Sequence, residues 1–162
     1  MSLLVSSGKI SFDPVHYTKK HNAQGSWKKT AMITVNDDMA AYYSWYVQRR
    51  YGLKLNPPLR GTHVTFINDR ITSPYLLDKY EMCKDKYEGK IIEFTYDTDV
   101  RTNAEHWWLK VNSNDMLYIR DEIGIGKPFF GLHLTIGIVP KDDIVRKKHS
   151  EYIHGLIREG MA

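Results

Sequence analysis

The 162-residue chain holds one cysteine, Cys83. That excludes an internal disulfide framework and a cysteine-built zinc site. Cys83 lies in a polar helical stretch and reads as an incidental or structural thiol, so a reducing cytoplasm is the expected compartment. No apolar run approaches the ~20 residues that a membrane helix needs, so no membrane partner is expected. Met1 to Ser11 lacks the basic start and long apolar stretch of a signal peptide. There is no His-Glu-x-x-His helix and no Walker spacing. Gly124-Ile125-Gly126-Lys127-Pro128 imitates a phosphate loop, but it leads into a strand pattern and reads as a turn. No metal or other cofactor is expected. Charge of either sign is also modest: 23 Lys/Arg against 19 Asp/Glu, a net of +4. That excess is too small for a dedicated duplex-DNA binder.

What is present is a globular composition, 42% hydrophobic and 12% aromatic, without a linker or low-complexity tract. The length suits one domain, or two small lobes sharing a core. The charge is uneven. Residues 1–60 carry nine Lys/Arg and three Asp/Glu, a net of +6, and the remainder carries −2. A basic N-terminal portion favours an anionic partner such as a nucleotide.

A faint internal repeat runs through the middle of the chain. Thr30 to Val35 reads as a strand, Asn36-Asp37-Asp38 as a helix cap, and Met39 to Tyr51 as a helix stopped by Gly52. A loop through Pro57 and Pro58 leads to a further strand. Later, Trp107 to Val111 reads as a strand. Asn112-Ser113-Asn114 caps a helix from about Asp115 to Ile123, stopped by Gly124, and a Gly/Pro loop again leads to a strand. Between the two units, Ser73-Pro74 opens a helix to about Tyr87, and Lys90 to Tyr96 reads as a strand. A helix or lid over 141–162 closes the chain. The expected class is α+β with mostly antiparallel strands. The expected arrangement is bilobal within a single 1–162 domain, with pseudo-symmetric lobes of roughly 30–88 and 89–140 around a central cleft.

The strands that end the two units carry the chemistry. Thr62-His63-Val64-Thr65-Phe66 and Leu132-His133-Leu134-Thr135-Ile136 are both His-x-Thr triplets in apolar runs, 70 residues apart. Side chains alternate along a strand. Each strand can therefore bury its apolar face and present an imidazole beside a hydroxyl. His16-Tyr17-Thr18 has the same spacing but no apolar strand around it. Two such strands facing one cleft place two histidines and two hydroxyl donors around a phosphate. Histidine titrates near neutrality and serves as proton donor or acceptor. The Thr65 and Thr135 hydroxyls can hold charge on non-bridging oxygens. A zinc pair formed by His63 and His133 would leave both threonines without a purpose.

With these motifs the chain resembles the 2H phosphoesterase superfamily across roughly residues 30–140, and within it the bacteriophage anti-CBASS phosphoesterases. The resemblance implies a bilobal fold with His63, Thr65, His133 and Thr135 as the catalytic set. It also implies metal-independent cleavage of cyclic di- or trinucleotides such as 3′,3′-cyclic GMP-AMP in a host cytoplasm. Action on RNA ends or 2′,5′-oligonucleotides, and non-catalytic sequestration of nucleotides, are the competing expectations.

Candidates for holding the rest of such a substrate are Trp27, Trp107 and Trp108 by stacking, and Arg60 and Lys127 by charge. Glu159 joins them on a tail placed to cover the cleft. Trp107 and Trp108 adjoin on a strand, so one faces the core and the other the opposite surface. Arg60 and Arg70 flank the first His strand. The aromatics Tyr42, Tyr43, Trp45, Tyr46 and Tyr51 are expected to pack the core or a subunit contact. His16, His21, His106, His149 and His154 read as surface or structural residues.

Overall fold

A computed structural model describes residues 2–14, 28–103 and 105–140. Its strands are β1 (Leu3–Phe12), β2 (Ala31–Thr34), β3 (His63–Ile67), β4 (Ile91–Asp97), β5 (Arg101–Thr102), β6 (His106–Asn112) and β7 (His133–Ile138). Its helices are α1 (Asp37–Tyr51), α2 (Pro74–Tyr87) and α3 (Asn114–Ile123). The fold is α+β, and every strand pairing is antiparallel. The sheet runs β4-β1-β2-β3-β7-β6, and β4 also pairs with β6, so these strands close a barrel-like ring. Closure removes the exposed edges on which open sheets aggregate. The short β5 lies beside the N-terminal part of β6.

The caps follow from the sequence. The Asn36 side chain accepts from the Asp38 N–H, and Ser113 Oγ accepts from the Met116 N–H. Gly52 and Gly124 end α1 and α3 in the left-handed conformation, at φ 70° and 98°. Pro74 opens α2, where a missing N–H costs nothing. Asp97 turns the chain out of β4: its carboxylate accepts from the Asp99 N–H at 2.9 Å and faces Arg101 at 3.7 Å.

One face of the ring is apolar and buried, with Ile10, Ile33, Val64, Phe94, Leu109 and Leu134 on successive strands. The helices cover this face. In α1, Tyr43 meets Tyr96 edge-on at 6.3 Å and Tyr51 meets Trp107 at 5.1 Å. In α2, Tyr80 meets Phe12 at 5.4 Å. Met116, Ile119 and Ile123 of α3 are buried in the same cluster, as is Cys83, whose thiol burial pushes up to about 11. Among the described residues, no helix is long and apolar enough to cross a membrane.

Three elements extend the sequence reading, the short β5 among them. Another is β1, which places Gly8, Ile10 and Phe12 inward by strict alternation. The third is the start of β6 at His106, one residue before the expected strand. Of the α1 aromatics, Tyr43 is buried, whereas Tyr42 and Trp45 lie exposed. The 141–162 lid lies outside the described residues.

Arg120 ties the segment after β3 to the segment before β7. It is 1% exposed and holds Asp69 through two parallel bonds of 2.7 and 3.0 Å. It also donates to the Phe66 carbonyl at 2.8 Å and the Gly126 carbonyl at 2.8 Å. Asp69 follows β3 and Gly126 precedes β7, so one guanidinium fixes the exit of one His strand to the approach of the other. Hydrogen bonding to Arg120 holds the Asp69 carboxyl below its ordinary value of 3.8. Asp69 is 36% exposed, so removing Arg120 leaves a solvated carboxylate and strips the donor from the Phe66 and Gly126 carbonyls, at about 1–3 kcal/mol. Arg120→Leu is expected to lower unfolding stability by about that amount, read as a drop in the denaturant midpoint. Wild type is expected to lose the Asp69 share of this stability as pH falls below 3.8, because protonation of a depressed carboxyl favours the unfolded chain. A variant within 1 kcal/mol of wild type, taken as about the scatter of such measurements, removes Arg120 from this role.

Candidate active site

β3 and β7 are neighbours, with Val64 opposite Leu134. One step to either side in that antiparallel register, His63 comes opposite Thr135 and Thr65 opposite His133. Opposed residues in such a pair stand about 4.5–5.5 Å apart at Cβ. Val64 and Leu134 point into the core, so the two histidines and two threonines share the other face. All four line a single cleft of about 610 Å³.

The local sequence repeats more strictly than the His-x-Thr triplets suggest. Pro58-Leu59-Arg60-Gly61-Thr62-His63-Val64-Thr65 and Pro128-Phe129-Phe130-Gly131-Leu132-His133-Leu134-Thr135 share Pro-x-x-Gly-x-His-x-Thr. The glycine has a function the triplet does not reveal. His63 Nδ1 lies 2.8 Å from the Gly61 carbonyl, and His133 Nδ1 lies 3.0 Å from the Gly131 carbonyl. A carbonyl only accepts, so Nδ1 carries a proton in both rings. In the neutral ring Nε2 is then the acceptor. The backbone behind the motifs repeats as well: Val35 N–H donates to the Thr62 carbonyl at 2.9 Å, and Val111 N–H to the Leu132 carbonyl at 3.0 Å.

The two halves differ in their supports. Gly61 has φ +74°, and a Cβ there would meet Asp37 Oδ1 at 3.1 Å. That carboxylate accepts from the Thr62 N–H at 2.9 Å, so Asp37 anchors the peptide whose neighbour holds His63. The sequence predicts only a helix start at Asp37-Asp38, and the anchoring adds to it. His63 is half-buried and His133 is exposed. Burial lowers the His63 pKa from 6.5, the Gly61 bond opposes the shift, and the Arg60 and His133 charges add to it. Burial also pushes the Arg60 guanidinium down to about 10, which leaves it charged at neutral pH.

The other residues singled out in the sequence divide. Arg60 lines the cleft. Trp107 does not: at 1% exposure it belongs to the core against Tyr51, because odd positions of β6 before Lys110 face inward. Trp108 stands on the site's face, opposite Thr135 in register, but outside the cleft lining. Lys127 is exposed beside the lining residue Pro128 and is not itself part of the lining. Arg70 is likewise outside it, while Asn68 and Asp69 are in it. Trp27 and Glu159 lie outside the described residues.

His106, expected as a surface or structural residue, lines the cleft. It opens β6 opposite Ile138, which lines the cleft as well. The signal was the apolar run from Trp107, which extends one residue further back. Phe129 and Phe130 also line the cleft and were missed. Their legible signal was the Pro-x-x-Gly frame shared with Leu59 and Arg60.

Comparison with family models, with characterised proteins and with solved structures returned no significant match. The site's chemistry therefore stands on its own residues. In an NMR titration of the wild-type imidazoles, His63 is expected to titrate below 6.5. A His63 midpoint above that value removes burial as the dominant influence on the ring.

Proposed function

We propose that this chain is a metal-independent phosphodiesterase of the 2H type, with His63, Thr65, His133 and Thr135 as its catalytic set. The observation that carries this reading is the crossed quartet in one cleft: two His/Thr pairs on adjacent strands, each ring held through Nδ1 by a glycine carbonyl. A phosphodiester seated there meets a proton acceptor, a proton donor and two hydroxyls. The paired β2-α1-β3 and β6-α3-β7 units support the two-lobe organisation of that family.

Burial keeps His63 neutral near pH 7, so it enters as the base. Its Nε2 takes the proton of a ribose 2′-hydroxyl, and the 2′ oxygen bonds to phosphorus. The bond from phosphorus to the 5′ oxygen breaks, and His133, entering as the imidazolium, gives its Nε2 proton to that oxygen and is left neutral with Nδ1–H on the Gly131 carbonyl. Thr65 and Thr135 donate to the non-bridging oxygens as charge builds. The product is a 2′,3′-cyclic phosphate, which water opens with the histidines exchanging roles. Protonated His63 cannot act as the base, so the rate falls as pH drops through its lowered pKa.

The resemblance to the phage anti-CBASS branch makes cyclic di- and trinucleotide messengers the substrate class, degraded in the host cytoplasm to blunt antiviral signalling. The test is product analysis by chromatography and mass spectrometry after incubation with 3′,3′-cyclic GMP-AMP in EDTA. Linear product is expected from wild type, and a loss of about 10²–10⁴-fold in both His63→Ala and His133→Ala. An intact ring from folded wild type sinks this substrate and turns the assay to 2′,5′-oligonucleotides and RNA ends. If those also survive, the chain is a binder.

A further inference from the structure

The octapeptide repeat shows where the near-twofold site stops being symmetric. The first unit places Leu59-Arg60 between its proline and glycine, and the second places Phe129-Phe130 there. All four side chains line the cleft. Arg60 is half-buried and cationic. Phe129 is 93% exposed and Phe130 is 75% exposed. Phenylalanine is ordinarily driven inside by its apolar surface. Here two neighbours forgo that burial at the mouth of a cleft built around a phosphate-sized quartet.

The two rings meet edge-to-face, with centroids 4.9 Å apart and planes at 89°. In that arrangement the ring that contributes its edge has neither face covered by its partner. An open, flat apolar face beside an anion site is complementary to a nucleobase, whose phosphate enters the quartet while its π-face covers the ring.

We infer that Phe129 and Phe130 form a stacking platform for one nucleobase of the substrate. Arg60, at the matching place across the cleft, takes phosphate charge, so the two halves of the site read different parts of one nucleotide. The inference rests on the reading of the quartet as a phosphate site and not on cleavage. It also explains how a nearly twofold site holds an unsymmetrical molecule in one orientation.

The test is equilibrium binding, by calorimetry, of 5′-AMP and of ribose 5-phosphate, which lacks the base. Wild type is expected to bind 5′-AMP about 10–100-fold more tightly, the range that one base–aromatic stack supplies. Phe130→Ala, alone or with Phe129→Ala, is expected to erase that gap and leave ribose 5-phosphate binding unchanged. Phe130→Trp is expected to keep the gap, and Phe130→Leu to lose it although it retains apolar surface. Arg60→Gln is expected to weaken both ligands equally. The residues are exposed, and an unchanged melting temperature for the Phe variants confirms that they fold.

The platform is overturned by a gap that survives in the Phe129→Ala/Phe130→Ala double variant. It is also overturned by wild type that does not distinguish the two ligands, or by Arg60→Gln abolishing the gap. Base-dependent binding with the ring, the 2′,5′-oligonucleotides and the RNA ends all left intact upholds the platform and sinks the phosphodiesterase. Cleavage with base-independent binding does the reverse.

Discussion

The buried Arg120 guanidinium is the constraint on which the geometry of the cleft depends. Taking a charge out of water is costly, and only a full set of acceptors repays it. Arg120 finds those acceptors on two segments distant in sequence: the Phe66 carbonyl and Asp69 after β3, and the Gly126 carbonyl before β7. Its requirement for partners therefore sets the relative position of the two loops. Those loops in turn deliver the quartet, because a His-x-Thr strand is useful only if the opposite strand arrives in register. A shift of one residue would turn all four groups into the core. The packing of Val64 and Leu134 resists that shift on one face, and the Arg120 clamp resists it at the strand ends.

The elements that bear the site were largely legible. Both strand-helix-strand units, with caps at Asn36 and Ser113 and stops at Gly52 and Gly124, follow from local rules that act within a few residues. The His/Thr quartet was legible because period-2 alternation puts His and Thr on one face whatever the strand pairs with. The pairing itself was not legible. Nothing local states that β3 lies beside β7, or that β4 closes the ring on β6, since those are long-range choices made by packing. Trp107 and Trp108 show the same limit: alternation splits the pair, but only the neighbouring strand and α1 decide which one meets Tyr51. His106 was passed over because the strand was read as starting at a tryptophan. Asp37 reads locally as part of a helix start, and the Thr62 N–H it holds comes from 25 residues further on.

The cleft combines symmetry in its chemistry with asymmetry in its surroundings. Both imidazoles use the same nitrogen against the same kind of carbonyl, set by the same spacing from a glycine. Their environments then pull them apart. His63 is sheltered and lies next to a cation, whereas His133 stands at the open side. Under the proposed reading, that difference in shelter is what would let two copies of one residue take different roles.

Ring closure also bears on how the chain is made. Leu3 pairs with Asp97, a partner 94 residues downstream. Translation at about 5–20 residues per second leaves β1 waiting on the order of 5–20 s for β4 to emerge. Through that interval its Leu3-Leu4-Val5 segment is an unpaired apolar edge, the kind of edge that invites association with other chains. The closed ring that protects the mature protein is thus assembled with its first strand completed late, and the vulnerable species is the nascent chain rather than the finished fold.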